Sequence, residues 1–162
     1  MPRKSLLYQP FQPILTDNGL NNFGLNLKQV RPAGILSSAI YSFLQISTDN
    51  ATDYPINPDG SISIYFSQKK VQIAGCLSQS VVLPILEKGD YFGIRFMPAG
   101  LRHLYNLNLS DISNQFVDES YLKDMHLLQE KIYQLPHFEQ RVEFCQAWFL
   151  KLFNKQDNKI DF

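Results

Sequence analysis

The hydrophobic period of this chain changes once, close to Gly100, and that change limits its fold more than any other feature. Before it, short apolar runs alternate with polar residues and are separated by turn residues. Between Ser61 and Ser67, Ile62, Ile64 and Phe66 fall on one face, and Ser61, Ser63 and Tyr65 fall on the other. After it, apolar residues recur at helical spacing. Tyr121, Met125, Leu128, Ile132 and Leu135 are spaced 4, 3, 4, 3, and after Pro136 the same spacing restarts at Phe138, Val142, Cys145, Phe149 and Leu152. Strands first and helices last predict an α+β chain, or a β-barrel followed by a helical attachment.

Turn chemistry divides the first part. Residues 1–34 are rich in Pro, Asn, Gln and Gly and read as extended, with short strands near Ile14-Leu15 and in NFGLNLKQV. A strand is expected over Leu36–Ser47, then a loop, TDNATDYPINPDG, then the strand Ser61–Ser67. In the turn between them Pro58 presets its own φ, Asp59 can bond the backbone beyond it, and Gly60 tolerates positive φ. VQIAGCLSQSVVLPIL reads as two short strands, with Gly75 marking a bulge or a close approach. EKGD is a hairpin-type turn, and YFGIRF a strand closed by Pro98. LRHLYNL and SDISNQF read as short helices, the second with Ser110 as N-cap. Two longer helices are predicted at 121–135 and 137–153, before a polar tail that frays.

Composition excludes several function classes. The 15 basic and 15 acidic residues cancel, whereas a chain that itself binds nucleic acid needs a concentrated basic face. Lys69-Lys70 reads as a solvated turn. No segment is a signal peptide or approaches the ~18 apolar residues of a membrane span, so a cytoplasmic protein is expected. Cys76 and Cys145 are far apart, and neither a disulfide framework nor a zinc site follows from them. The histidines, His103, His126 and His137, have no ligand spacing and none lies on a strand, so no metal and no cofactor is expected. There is no G-x-S-x-G elbow, no phosphate-binding glycine loop and no paired carboxylate site; Cys145 holds a core position, and an enzyme is not expected.

Two phrases together carry a resemblance. Pro58-Asp59-Gly60 leads into an apolar strand, and Gly93-Ile94-Arg95-Phe96 with Pro98-Ala99-Gly100 runs into a helix. This pairing resembles the N-terminal domain of a branch of the AraC-type bacterial transcription regulators. The early Tyr8-Gln9-Pro10, the segment LSDISNQFVDESYL and the stretch FEQRVEFCQAWF are similar to further parts of that domain, so the likeness runs from about Tyr8 to Phe153. Met97 stands where the family often has Arg or Lys, and Ala99 where it often has Gly.

The resemblance implies a cupin-like β-barrel over residues 1–108 that senses a small-molecule effector. It also implies a helical segment over 109–162 that dimerises or couples to DNA binding. DNA would be bound through helix-turn-helix units that residues 1–162 do not contain. A stand-alone cupin-like binding protein or a metal-independent enzyme is the alternative.

Candidate residues follow from both readings. Tyr65, Tyr91 and Phe92 are candidates to line a pocket, and Arg95 to contact a ligand. Arg95 has two structural alternatives: solvated on an outward face, or paired with Asp59 in a buried contact that pins one turn to a neighbouring strand. Gly93, Phe96, Pro98 and Gly100 are expected as structural devices. Met125, Leu128, Ile132, Val142, Cys145, Phe149 and Leu152 form the helical seams. Phe144, Trp148 and Phe153 form a second flank, expected to meet the same helix of a second copy in a homodimer.

Overall fold

The structure is a computed structural model that describes residues 25–157 apart from 86, 98 and 106. The expected strand near Ile14-Leu15, the Tyr8–Pro10 segment, Pro98 and the last five residues lie outside the described residues. The described chain is α+β. Its strands are β1 (Leu25–Val30), β2 (Ile40–Thr48), β3 (Thr52–Ile56), β4 (Ile62–Phe66), β5 (Val71–Ala74), β6 (Val81–Ile85), β7 (Gly89–Phe96) and β8 (Phe116–Val117). Its α-helices are α1 (Gly100–Tyr105), α2 (Met125–Tyr133) and α3 (Phe138–Asp157). Three 3₁₀ turns occupy Gly34–Ser38, Leu109–Ile112 and Glu119–Tyr121.

All pairings are antiparallel. The large sheet runs β1-β2-β7-β4-β5-β8, and β3 pairs with β6 in a separate two-stranded sheet. The strands therefore form two sheets among the described residues, with no closed hydrogen-bonded barrel. Period-2 alternation gives the large sheet two buried faces. Ile62, Ile64, Phe66, Phe92, Ile94 and Phe96 face the helices and share their core. Leu25, Leu44 and Ile46 face the small sheet, where they meet Tyr54, Ile56 and Ile85. The result is three layers, with helices, large sheet and small sheet stacked in that order.

Several expectations change. The strand after Ala33 begins at Ile40, because Gly34–Ser38 forms a 3₁₀ turn whose Leu36 already enters the core. The expected loop TDNATDYPINPDG contains β3. Its Pro55 pairs with Val82 in a sheet of two edge strands, where a missing N–H is tolerated. EKGD does not close a hairpin: it carries the chain from the small sheet to the large one, with Gly89 at φ +145°. The cap at 109–112 is Asn108, whose side chain accepts from the Ser110 N–H, rather than Ser110 itself. The first long helix starts at Met125, not Tyr121, and the second continues to Asp157. Cys76 follows β5 and is half-buried, with Sγ donating to the Gly60 carbonyl at 3.2 Å.

Across the expected division at 108, strand β8 pairs with β5, and the helices share one core with the sheet. Phe138 and Phe149 seat α3 on the sheet, 6.0 Å from Phe92 and 5.7 Å from Phe96 between ring centroids.

Candidate ligand cavity between the sheets

Two spaces lie between the sheets, and Tyr54 and Tyr65 border both. The smaller, of about 20 Å³, is walled by Asp59, Ser63, Ala74 and Arg95. It has room for roughly one water molecule. Arg95 stands on the β7 face that looks at the small sheet, opposite Ile94 and Phe96. Its guanidinium pairs with the Asp59 carboxylate, and the two side chains are 5% and 4% exposed. Asp59 also accepts from the Ser61 N–H at 2.9 Å and from the Ser61 hydroxyl. Of the two structural alternatives the buried pair is the one formed: Asp59 closes its own turn and pins it to β7. Arg95 does not reach the larger space, so its charge is committed to the fold.

The larger cavity has a volume of about 470 Å³, within the range of small-molecule sites. Its interior is formed by Ile46 from β2, Tyr54 from β3, Tyr65 from β4 and Leu83 and Ile85 from β6. Tyr91, on β7, borders it as well, and its hydroxyl donates to the Glu87 carbonyl at 2.8 Å. Tyr65 and Tyr91 therefore border one cavity. Phe92 is not on it: it points to the other face and is fully buried in the main core. Burial pushes the phenols of Tyr54, Tyr65 and Tyr91 above the ordinary tyrosine range, so all three are neutral hydrogen-bonding groups at physiological pH.

The mouth lies where the turn 67–70 meets the segment 87–90. Gln68, Lys69, Lys70, Glu87 and Lys88 are exposed there, and Lys69 donates to Glu87 at 2.7 Å. Two helix residues also border this cavity. The Tyr133 hydroxyl, from α2, lies 2.7 Å from the Phe66 carbonyl and 3.0 Å from that of Asp90. Arg141, from α3, is buried; its Nη1 donates to Asp90 at 2.8 Å and to Gln45 at 2.9 Å, and its Nε to the Leu135 carbonyl at 3.0 Å. One cavity thus touches the sheet interior and the anchors that seat both long helices.

The glycine devices are visible in the backbone. Gly60 has φ +77° in the turn that Asp59 closes. A Cβ at Gly100 would sit 2.1 Å from the Ala39 carbonyl oxygen, and one at Gly75 only 2.0 Å from that of Ile112. At Gly93 it would press on the Leu44 side chain at 3.0 Å. Phe96 is fully buried.

The helical seams are covered within one chain: Met125, Leu128, Ile132, Val142, Cys145 and Phe149 are buried in the main core. Phe153 is buried too, and Phe144, Trp148 and Leu152 are half-buried against the same core. Burial pushes the Cys145 thiol above its ordinary range, as befits an inert core cysteine.

Among the described residues no three His, Cys, Asp or Glu side chains gather as metal ligands. No described helix is long and apolar enough to cross a membrane. Sequence reasoning missed Tyr54, Leu83 and Ile85 as one wall, and Tyr133 and Arg141 as another. The wall from β3 was hidden by Pro55; its signal was the alternation of Tyr54 and Ile56 around that proline.

Residues 28–118 match the profile of a family described as a domain of unknown function, DUF6597, and the chain belongs to that family. The matched span covers every strand from β2 to β8 and the sheet side of the cavity wall, while Tyr133 and Arg141 lie beyond it. No curated protein and no solved structure matches the chain.

Proposed function

We propose that this chain is the signal-sensing and dimerisation domain of an AraC-type transcription regulator, its two facing sheets forming a cupin-like sensor. One observation carries the reading. The cavity between the sheets is bordered by Tyr65 and Tyr91 on one side and by the helix anchors Tyr133 and Arg141 on the other. A small effector bound there would favour one seating of α2 and α3 over another, which is what a sensor must do. In this reading the effector binds without metal or cofactor. The protein works in the cytoplasm, and DNA is contacted by helix-turn-helix units outside residues 1–162. A second copy packs on the helical layer, beside Trp148.

A stand-alone binding protein or a metal-independent enzyme would use the same cavity but would not couple it to a dimer. The test is a fusion of residues 1–162 to a monomeric DNA-binding domain, read on a paired-operator reporter, with light scattering on the purified chain at micromolar concentration. A dimer that represses the reporter is expected. A monomer that leaves the reporter unrepressed overturns the reading.

A further inference from the structure

The mouth of the inter-sheet cavity carries more positive charge than its own acids neutralise. Its cations are Lys69, Lys70, Lys88 and Arg141; its acids are Glu87 and Asp90. Lys69 is paired with Glu87, and Arg141 with Asp90. Among the described residues neither Lys70 nor Lys88 takes part in an ion pair. A chain with a formal net charge of zero thus concentrates two uncommitted ammonium groups at the opening of this cavity.

Behind them the walls change character. Ile46, Tyr54 and Ile85 are 2%, 3% and 5% exposed, and Leu83 completes the apolar side. A sugar entering this space would lose water from hydroxyls on every side and regain few partners. A phosphate would favour a guanidinium fork. The guanidinium bordering the cavity already spends Nε and Nη1 on Leu135, Gln45 and Asp90. Flexible ammonium groups above an apolar chamber suit a single carboxylate at the end of an apolar body.

We propose, resting on the sensor reading above, that the cavity binds an organic carboxylate with an apolar chain or ring. Lys70 and Lys88 hold the carboxylate at the mouth. The body lies between Ile46, Tyr54, Leu83 and Ile85, with the phenols of Tyr65 and Tyr91 along its side. Placed so, the carboxylate sits beside Asp90 and competes electrostatically with it near Arg141, the residue that seats α3. The ligand would therefore act on the helix layer through charge as well as volume.

The test is titration calorimetry on the full chain with decanoate below its micellar range. Decanol, decyl phosphate and glucose are run as comparisons, and a Lys70→Gln/Lys88→Gln double variant as the charge control. Both substitutions are at exposed positions, so folding is expected to be unchanged. Decanoate is expected to bind at one equivalent, about tenfold tighter than decanol, and to weaken about tenfold in the double variant and again at high salt. A second variant, Leu83→Trp, fills the chamber and is expected to abolish binding while both lysines remain. Decanol or glucose binding as tightly as decanoate would overturn the carboxylate assignment. So would decyl phosphate binding about tenfold tighter, decanoate binding that ignores both variants, or no saturable binding of decanoate. Each of these leaves the sensor reading to stand or fall on the dimer and the reporter.

Discussion

Asp59 does two jobs with one carboxylate: it accepts from the Ser61 backbone within its own turn and pairs with Arg95 on β7. The Pro-Asp-Gly spelling predicts the bond to the Ser61 backbone, because an aspartate side chain can reach two residues on. It cannot say where Arg95 lies, 36 residues later. The fold brings the two together under the small sheet, where an unpaired guanidinium would be a buried charge. Asp59→Ala is expected to destabilise the chain by about 3–5 kcal/mol in urea unfolding. Adding Arg95→Met should recover about 2 kcal/mol, since the orphaned charge goes with it. A loss below about 1 kcal/mol for the single variant would reduce Asp59 to an ordinary turn residue. Ala99 shows the opposite case, a residue at odds with its backbone. It has φ +68° and is exposed, where the resembling regulators often carry glycine. A left-handed alanine is strained by about 1–2 kcal/mol. Ala99→Gly is therefore expected to raise stability by about 0.5–1 kcal/mol, with no side-chain packing to lose. An unchanged or lower melting temperature would show that the turn relaxes the strain elsewhere.

At the level of elements, periodicity identified most strands and misjudged where one helix begins. Tyr121 and Met125 are one helical turn apart, so their spacing fits a continuous helix. Between them Leu122 is extended, at φ −120° and ψ 138°, and Asp124 is left-handed at φ +65°. Leu122 is buried by this excursion, and tertiary packing overrides the local pattern. Glycines at element ends report the same kind of packing. Gly75, at the end of β5, lies against the backbone of Ile112, and the two segments exchange bonds: Gly75 N–H to the Gln115 carbonyl at 3.0 Å, and Asn114 N–H to that of Cys76 at 2.8 Å. Gly75→Ala would force the Ile112 carbonyl away and is expected to destabilise by about 3 kcal/mol. The Asn114 amide should then exchange its hydrogen much faster than in the wild type. Wild-type protection of that amide would mean that the 109–115 segment moves as a unit and absorbs the methyl group.

At the scale of the whole molecule, five tyrosines among the described residues share one physical condition. Tyr54, Tyr65, Tyr91, Tyr105 and Tyr133 are desolvated, and burial raises each above its ordinary value of 10.0. The folded state therefore holds protons that the unfolded chain releases above about pH 10. Stability from these groups is fully present below that pH and is lost as pH rises beyond it. Tyrosinate absorbance and circular dichroism are expected to change together in one transition above pH 10. Tyrosinate formation well before loss of the dichroism would show that the phenols ionise within the folded protein.

Some of this architecture was determined by the sequence alone. A period of two over 61–67 and 91–96, helical spacing after 121 and a break at Pro136 dictate strands followed by helices, because side-chain direction is a local property of the backbone. The alternation also assigned Tyr65 and Arg95 to the face opposite Ile64 and Ile94, since that follows from the pleat. Which sheet each strand joined was decided only in the tertiary structure. Antiparallel strands β3 and β6 satisfy each other's backbone away from the main sheet, a choice set by the global competition for hydrogen-bond partners rather than by either segment. The cavity is a product of that choice, because Tyr54, Leu83 and Ile85 become its wall only when the small sheet faces the large one. The links from the cavity to the helices arise in the same way: Tyr133 and Arg141 meet Asp90 across 43 and 51 residues of chain, a proximity that no local pattern encodes.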